Sequence, residues 1–202
     1  MSTVVIVRKD ARVAIAADSL ATSGNTKINA RYARGSDKIM RHGDSYLGLV
    51  GDVAHAHVLA SILAKHRKRV SFAGASDIFE TFRLLHPILK EEYFINTTEE
   101  EHDPYESSQV TLVIANPYGI FEVGSWREVI EYERFWAVGS GRDYAIGAMY
   151  AVYDTEASAE RIAETGVTAG CEFDDGSGLP FTIYTTDIDE AAPPKKSKTR
   201  RR

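Results

Sequence analysis

The sequence predicts an α+β chain whose order of strand pairs and helix pairs suggests sheets stacked face to face with helices on both outsides. Three observations carry this. Apolar, β-branched runs come in pairs about short turns, the mark of antiparallel hairpins. The first two runs, Thr3 to Arg8 and Arg12 to Asp18, do not alternate polar with apolar, as expected of strands covered on both faces. The order is strands, two helices, strands, two helices and a last strand, so each group of strands has a helix pair to cover it.

Taken in order, the first two runs flank Lys9-Asp10-Ala11, a hairpin turn. Thr22-Ser23-Gly24-Asn25-Thr26 reads as a turn, and the residues on to Asp37 as polar and irregular. Lys38 to Arg41 and Tyr46 to Val50 form a second hairpin about His42-Gly43-Asp44-Ser45. From Asp52, an N-cap, to Lys68 the period becomes helical, with Val53, His57 (or Ala56), Ala60, Leu63 and Ala64 on one face. A second helix follows Gly74, capped by Ser76 or Asp77, with Ile78, Phe82, Leu85 and Leu89 in a stripe. Pro87 inside it predicts a kink or local break. Phe94 to Ser108, with Glu99-Glu100-Glu101-His102-Asp103, reads as a loop with a solvated acidic run. Gln109 to Ala115 and Gly119 to Val123 are strands about Asn116-Pro117-Tyr118-Gly119, a turn with Pro second. Val129 to Val138 holds one more strand, ending in Gly139-Ser140-Gly141. Helices over Asp143 to Val152 and Ala157 to Ala169, then a strand over Phe181 to Thr185, complete the pattern.

The 202 residues, 44% of them apolar, are one domain's worth of chain, placed at 1–189. Residues 190–202 form a basic tail expected to be disordered. The formal net charge is −5, but the tail holds six cations and no anion from Lys195 onward, leaving 18 cations against 29 anions before it. An acidic body of net −11 argues against nucleic-acid binding by the folded part. No eighteen-residue apolar run exists, so no membrane span is expected. Val4 to Val7 is too short for a signal sequence, and the single Cys171 fits a reducing compartment, so a cytoplasmic location is expected. His55, His57, His66, His86 and His102 show no paired ligand spacing, and neither a metal nor an organic cofactor is expected.

The chemistry concentrates at the beginning. Only Met1 precedes Ser2, and Ser is small enough for Met1 to be trimmed away. That exposes an α-amine beside a hydroxyl on one residue. A free α-amine titrates near ~8 and is therefore a usable base at physiological pH. A hydroxyl next to its own amine is one of the recognised forms of activated nucleophile. A fixed cation is still needed to hold the amine's pKa down and steady the alkoxide. Lys38 is the candidate, with Asp18 to orient it.

Ser2-Thr3, Ala16-Ala17-Asp18-Ser19, Asp37-Lys38-Ile39 and Gly48-Leu49-Val50-Gly51-Asp52 together resemble a proteasome-type β subunit. The resemblance is nearest to the HslV branch and the betaproteobacterial proteasome homologue, and it implies the layering, a four-layer αββα sandwich. That family has an N-terminal Thr nucleophile with an Asp sixteen positions on, which maps the nucleophile to Ser2 and departs from the family in residue type. Thr3 is the alternative, one residue short of that spacing. Arg34 competes with Lys38 on raw spacing, but Lys38 opens a strand as the family Lys does.

The resemblance further implies that Ser140, Asp174 and Ser177 complete the network around the amine, with Asp175 as an alternative to Asp174. Read without it, Ser140 is a residue opening a helix, where N–H groups bind an anion or receive a cap. Gly48 matches the glycine whose N–H forms the oxyanion hole, against a reading as tight inter-sheet packing. Thr22, Tyr46 and Val50 are implied at the substrate, the last two flanking the pocket for the residue before the cut bond. The activity implied is hydrolysis of peptides or unfolded proteins inside a homo-oligomeric double ring, with fourteen subunits favoured over twelve and an unfoldase partner left open. The rivals are a catalytically silent ring-forming scaffold and a small-amide hydrolase of the same nucleophile class.

Overall fold

The computed structural model describes residues 1–98, 103 and 105–189. The basic tail and most of the acidic run therefore lie outside the described residues. Two antiparallel sheets face each other. The first, ordered β10-β1-β2-β11, is built from β1 (Val4–Lys9), β2 (Arg12–Asp18), β10 (Phe135–Val138) and β11 (Phe181–Asp187). The second runs β5-β6-β7-β8-β9, from β5 (Ile39–His42), β6 (Ser45–Val50), β7 (Thr111–Asn116), β8 (Gly119–Val123) and β9 (Val129–Tyr132). Helices α1 (Val53–Lys65) and α2 (Ala75–Glu91) cover the second sheet, and α3 (Arg142–Tyr153) and α4 (Ala159–Phe173) the first. This is the αββα sandwich.

The lack of alternation in β1 and β2 now has its cause. Val5, Val7, Ala14 and Ala16 pack under Met149, Ile162 and Val167 of the helices, while Val4, Ile6, Ile15 and Ala17 face Ile39, Val113 and Ile120 of the other sheet. Each of the Val and Ile side chains removed from water contributes about 1.5–3 kcal/mol to folding, so both faces of these strands are strongly specified.

Several elements depart from expectation. The segment after Asp18 is more regular than expected: β3 (Ala21–Ser23) and β4 (Thr26–Ile28) form a small hairpin about the expected turn, followed by a 3-10 turn at Ala30–Tyr32, and irregular chain runs from there to Asp37. In α1 the buried residues are Leu59, Ile62 and Leu63, and Val53 is exposed. The helix is apolar nearly all round, so its sequence fixes the phase weakly. Asp52 does cap it, its side chain accepting the Ala54 N–H at 2.8 Å. Helix α2 buries the expected stripe, but its N-cap is Gly74, and it runs through Pro87 without a break. Pro87 costs the bond to the Arg83 carbonyl, and both residues lie on the exposed face, where water reaches that carbonyl.

Val129 to Val138 holds two strands, not one. β9 ends the second sheet by pairing with β8, and β10 joins the first by pairing with β1. The chain crosses between sheets at Glu133-Arg134, and Tyr132 stacks on Trp136 across this seam with ring centroids 4.7 Å apart. From β10 the chain leads directly into Gly139-Ser140-Gly141, at the mouth of the sandwich where β1 begins.

Candidate active site

The β1–β2 hairpin sets the first distance. Its register pairs Val4 with Ala17, so the next rung brings Thr3 to Asp18, and the Asp18 N–H donates to the Thr3 carbonyl at 3.1 Å. Asp18 is fully buried at the end of β2. Its Oδ1 accepts the Thr3 N–H (3.0 Å) and Lys38 Nζ (2.6 Å), while its Oδ2 accepts the Leu20 N–H (3.0 Å) and the Gly178 N–H (3.1 Å). Four donors satisfy a buried carboxylate that would otherwise be very costly.

Lys38 reaches this point from the residue before β5, anchored where its carbonyl accepts the Leu49 N–H of β6. Its Nζ also donates to Ser2 Oγ at 3.1 Å. One ammonium therefore bridges the carboxylate and the candidate nucleophile. Arg34, the competitor on spacing, lies exposed in the cavity wall, and no bond links it to Asp18 or Ser2.

A second arm approaches Ser2 from the other side. Ser140 does not cap α3, whose N-cap is Gly141 with no side-chain bond. Its hydroxyl instead accepts the Ser2 N–H (3.2 Å) and donates to Asp174 Oδ2 (2.8 Å). Ser177 donates to the same oxygen at 2.6 Å. Asp174 holds this position at the C-cap of α4, whereas Asp175 is exposed. Gly139 makes the approach possible: its φ is +97°, and a Cβ there would lie 2.1 Å from the Ser2 carbonyl oxygen. In this structure Met1 is still attached. Its carbonyl accepts the Ser2 hydroxyl, and its side chain rests against Gly176.

The fold and this arrangement can be set beside known structures. The chain is similar to Thiobacillus denitrificans BPH, with 41% identity over 93% of this chain and 99% of that one, and a TM-score of 0.88. The chain belongs to the BPH family of proteasome-type β subunits. A second structure of that relative is a complex with epoxomicin, also 41% identical over the same shares, with a TM-score of 0.86. HslV from Trypanosoma brucei, at 20% identity over 92% of this chain and 99% of that one, shares the fold with a TM-score of 0.69. No protein-family model matches the chain.

Within this family frame, the other candidates separate. A cavity of about 600 Å³ opens beside Ser2, with Thr22, Lys38 and Val50 in its wall together with Ala21, Met40 and Val53. Tyr46 lies outside that wall and stacks on Tyr184 with centroids 5.0 Å apart. The Tyr184 hydroxyl donates to Asp37, which pushes the phenol's pKa up. Gly48 is also outside the wall, and a Cβ on it would meet Val4 at 2.5 Å and Ile15 at 3.1 Å. Its surroundings display the inter-sheet packing role.

Two groups were not singled out by sequence. The Leu20 and Gly178 amides complete Asp18, and the first had a signal: a carboxylate accepting the N–H two residues on is the common Asx turn. Cys171 on α4 lies close enough to feel Asp18, Lys38 and Asp174. Burial first, and Asp18 second, push its thiol up to about 12.

Proposed function

We propose that this subunit is a peptidase whose nucleophile is Ser2, exposed once Met1 is removed. The observation that supports it above all is the Lys38 ammonium held between Asp18 at 2.6 Å and the Ser2 hydroxyl at 3.1 Å. With Met1 gone, the Ser2 nitrogen becomes an α-amine beside Ser140. The amine takes the Ser2 Oγ proton, directly or through a water, as Oγ attacks the peptide carbonyl carbon. Lys38 holds the amine's pKa down and steadies the alkoxide, while Asp18 keeps Lys38 in place.

Collapse of the tetrahedral adduct breaks the C–N bond. The proton on the amine passes to the leaving amine, and an ester to Ser2 remains. The same amine then activates water to hydrolyse that ester. We assign the residue before the cut bond to the wall around Val50, with Thr22 further along the substrate; Gly48, inside the sheet between β5 and β7, is left with the packing role.

The substrate class is peptide or unfolded protein, acted on within a homo-oligomeric double ring, with fourteen subunits favoured over twelve. Light scattering should give a ring-sized particle, and a monomer or dimer at working concentration would contradict the assembly. The nucleophile is tested by intact mass with an epoxyketone, an electrophile that needs both hydroxyl and free amine. The wild-type chain should lack Met1 and gain one adduct, and Ser2→Ala should gain none and cleave no fluorogenic peptide. Wild-type turnover by Ser2→Ala would end this reading.

A further inference from the structure

We propose that Thr3 is a positioning residue, whose hydroxyl and backbone N–H tie the two arms of the site together and so fix the base at Ser2. The inference rests on the reading of Ser2 as an N-terminal nucleophile. The hydrogen bonds close a ring: Ser2 N to Ser140, Ser140 to Asp174, Ser177 to Asp174, Thr3 Oγ1 with Ser177 at 2.7 Å, Thr3 N to Asp18, Lys38 to Asp18, and Lys38 to Ser2 Oγ.

Proton accounting gives the Thr3–Ser177 contact a direction. A carboxylate only accepts, so the single Ser177 proton goes to Asp174, and Thr3 must be the donor to Ser177. Two one-way chains therefore meet on Asp174 Oδ2, one from the Ser2 nitrogen through Ser140 and one from Thr3 through Ser177. Thr3 is fully buried, so no water replaces its partner. Two glycines make its berth. A Cβ on Gly141 would lie 2.0 Å from Thr3 Oγ1, and one on Gly170 would lie 2.4 Å from both Oγ1 and the γ-methyl. These are closer than atoms can pack, so the helix ends around Thr3 leave room for this side chain and its hydroxyl.

The charged groups around the amine are Asp174 through Ser140, and Lys38 and Asp18 across Oγ, with the Cys171 thiol protonated nearby. Donation from Thr3 polarises Ser177 and helps spread the Asp174 charge. Without it that charge acts more fully on the amine, which then holds its proton to higher pH.

The test uses chains released from a cleavable fusion so that Ser2 is first. Carbamylation of the Ser2 amine by cyanate, followed against pH by mass, reads the amine independently of turnover. Thr3→Val should move the midpoint upward by several tenths of a pH unit and lower kcat/KM on the acidic limb about 2- to 5-fold with KM unchanged; Thr3→Ser should restore both. Should Thr3→Val not fold, Ser177→Ala takes its place and should show the same upward shift. An unshifted amine in whichever variant folds overturns the proposal, and so does a Thr3→Ser that behaves like Thr3→Val. Turnover by Ser2→Ala would remove the nucleophile reading instead, leaving the amine titration to judge Thr3.

Discussion

The two carboxylates beside Ser2 are held in opposite ways. Asp18 is fully buried at a strand end and accepts three backbone N–H groups and one ammonium. Asp174 is half-buried at a helix C-cap and accepts two hydroxyls on a single oxygen. Backbone donors are fixed by the fold, whereas hydroxyls rotate. Asp18 is thus a rigid post for Lys38, and Asp174 an adjustable end to a relay. A site that must hold a cation still and yet pass protons has a use for both.

The contrast predicts unequal costs. Lys38→Ala and Asp18→Asn should each lower kcat/KM by about a thousandfold or more, because they remove the charge pair next to the Ser2 hydroxyl. They should also be unstable. Stripping one partner from a buried ion pair costs about 3–5 kcal/mol, which thermal denaturation will read. A melting temperature within a degree of wild type would break the picture of Asp18 as a rigid post.

Cys171 sharpens the comparison because it feels both carboxylates, Asp18 more than Asp174. Its thiol is raised from 9.0 to about 12, so at pH 8 its alkylation by iodoacetamide should be about a thousandfold slower than for a free cysteine. Reaction should climb only as pH rises toward that value. The sign for stability follows: above pH 9 the unfolded chain loses this proton first, so folding stability falls as pH increases. Fast labelling of the native protein at pH 8 would disprove the burial.

Asp174→Asn should cost less on both counts, about 10- to 100-fold in kcat/KM and under about 1 kcal/mol in stability, since its half-buried site admits water. Equal destabilisation by the two Asp→Asn changes would erase the distinction. Smallest is Ser2→Thr, which should alter kcat/KM by no more than about tenfold. The added methyl restricts χ1 and favours a directed hydroxyl, and each factor of two in productive rotamer is only about 0.4 kcal/mol. A larger loss would mean the methyl collides with neighbours packed for Ser2.

The difference between the arms also decided what the sequence could reveal. The Ser2–Asp18 spacing is legible because one hairpin with a two-residue turn sets it, so counting along the chain measures a distance in space. Nothing local joins Asp174 and Ser177 to Ser2. That contact needs α4 packed on the first sheet, and only the family resemblance pointed to it. The same holds for the helices. The stripe of α2 has polar residues to frame it and was read correctly, while apolar α1 gave the wrong phase. The strand break at Glu133-Arg134 left no mark, because the residues on both sides are equally suited to strands and the change of partner is tertiary.

That crossing has a spectroscopic consequence. Of the two tryptophans in the chain, Trp136 lies in β10 just after the crossing, stacked on Tyr132 of the facing sheet, and Trp126 lies just before β9 against Tyr105. Intrinsic emission therefore reports on the zone spanned by β9, from the turn before it to the strand after the crossing. A denaturation curve followed by fluorescence tracks the opening of that zone, while Ser2, just before β1, gives no light of its own.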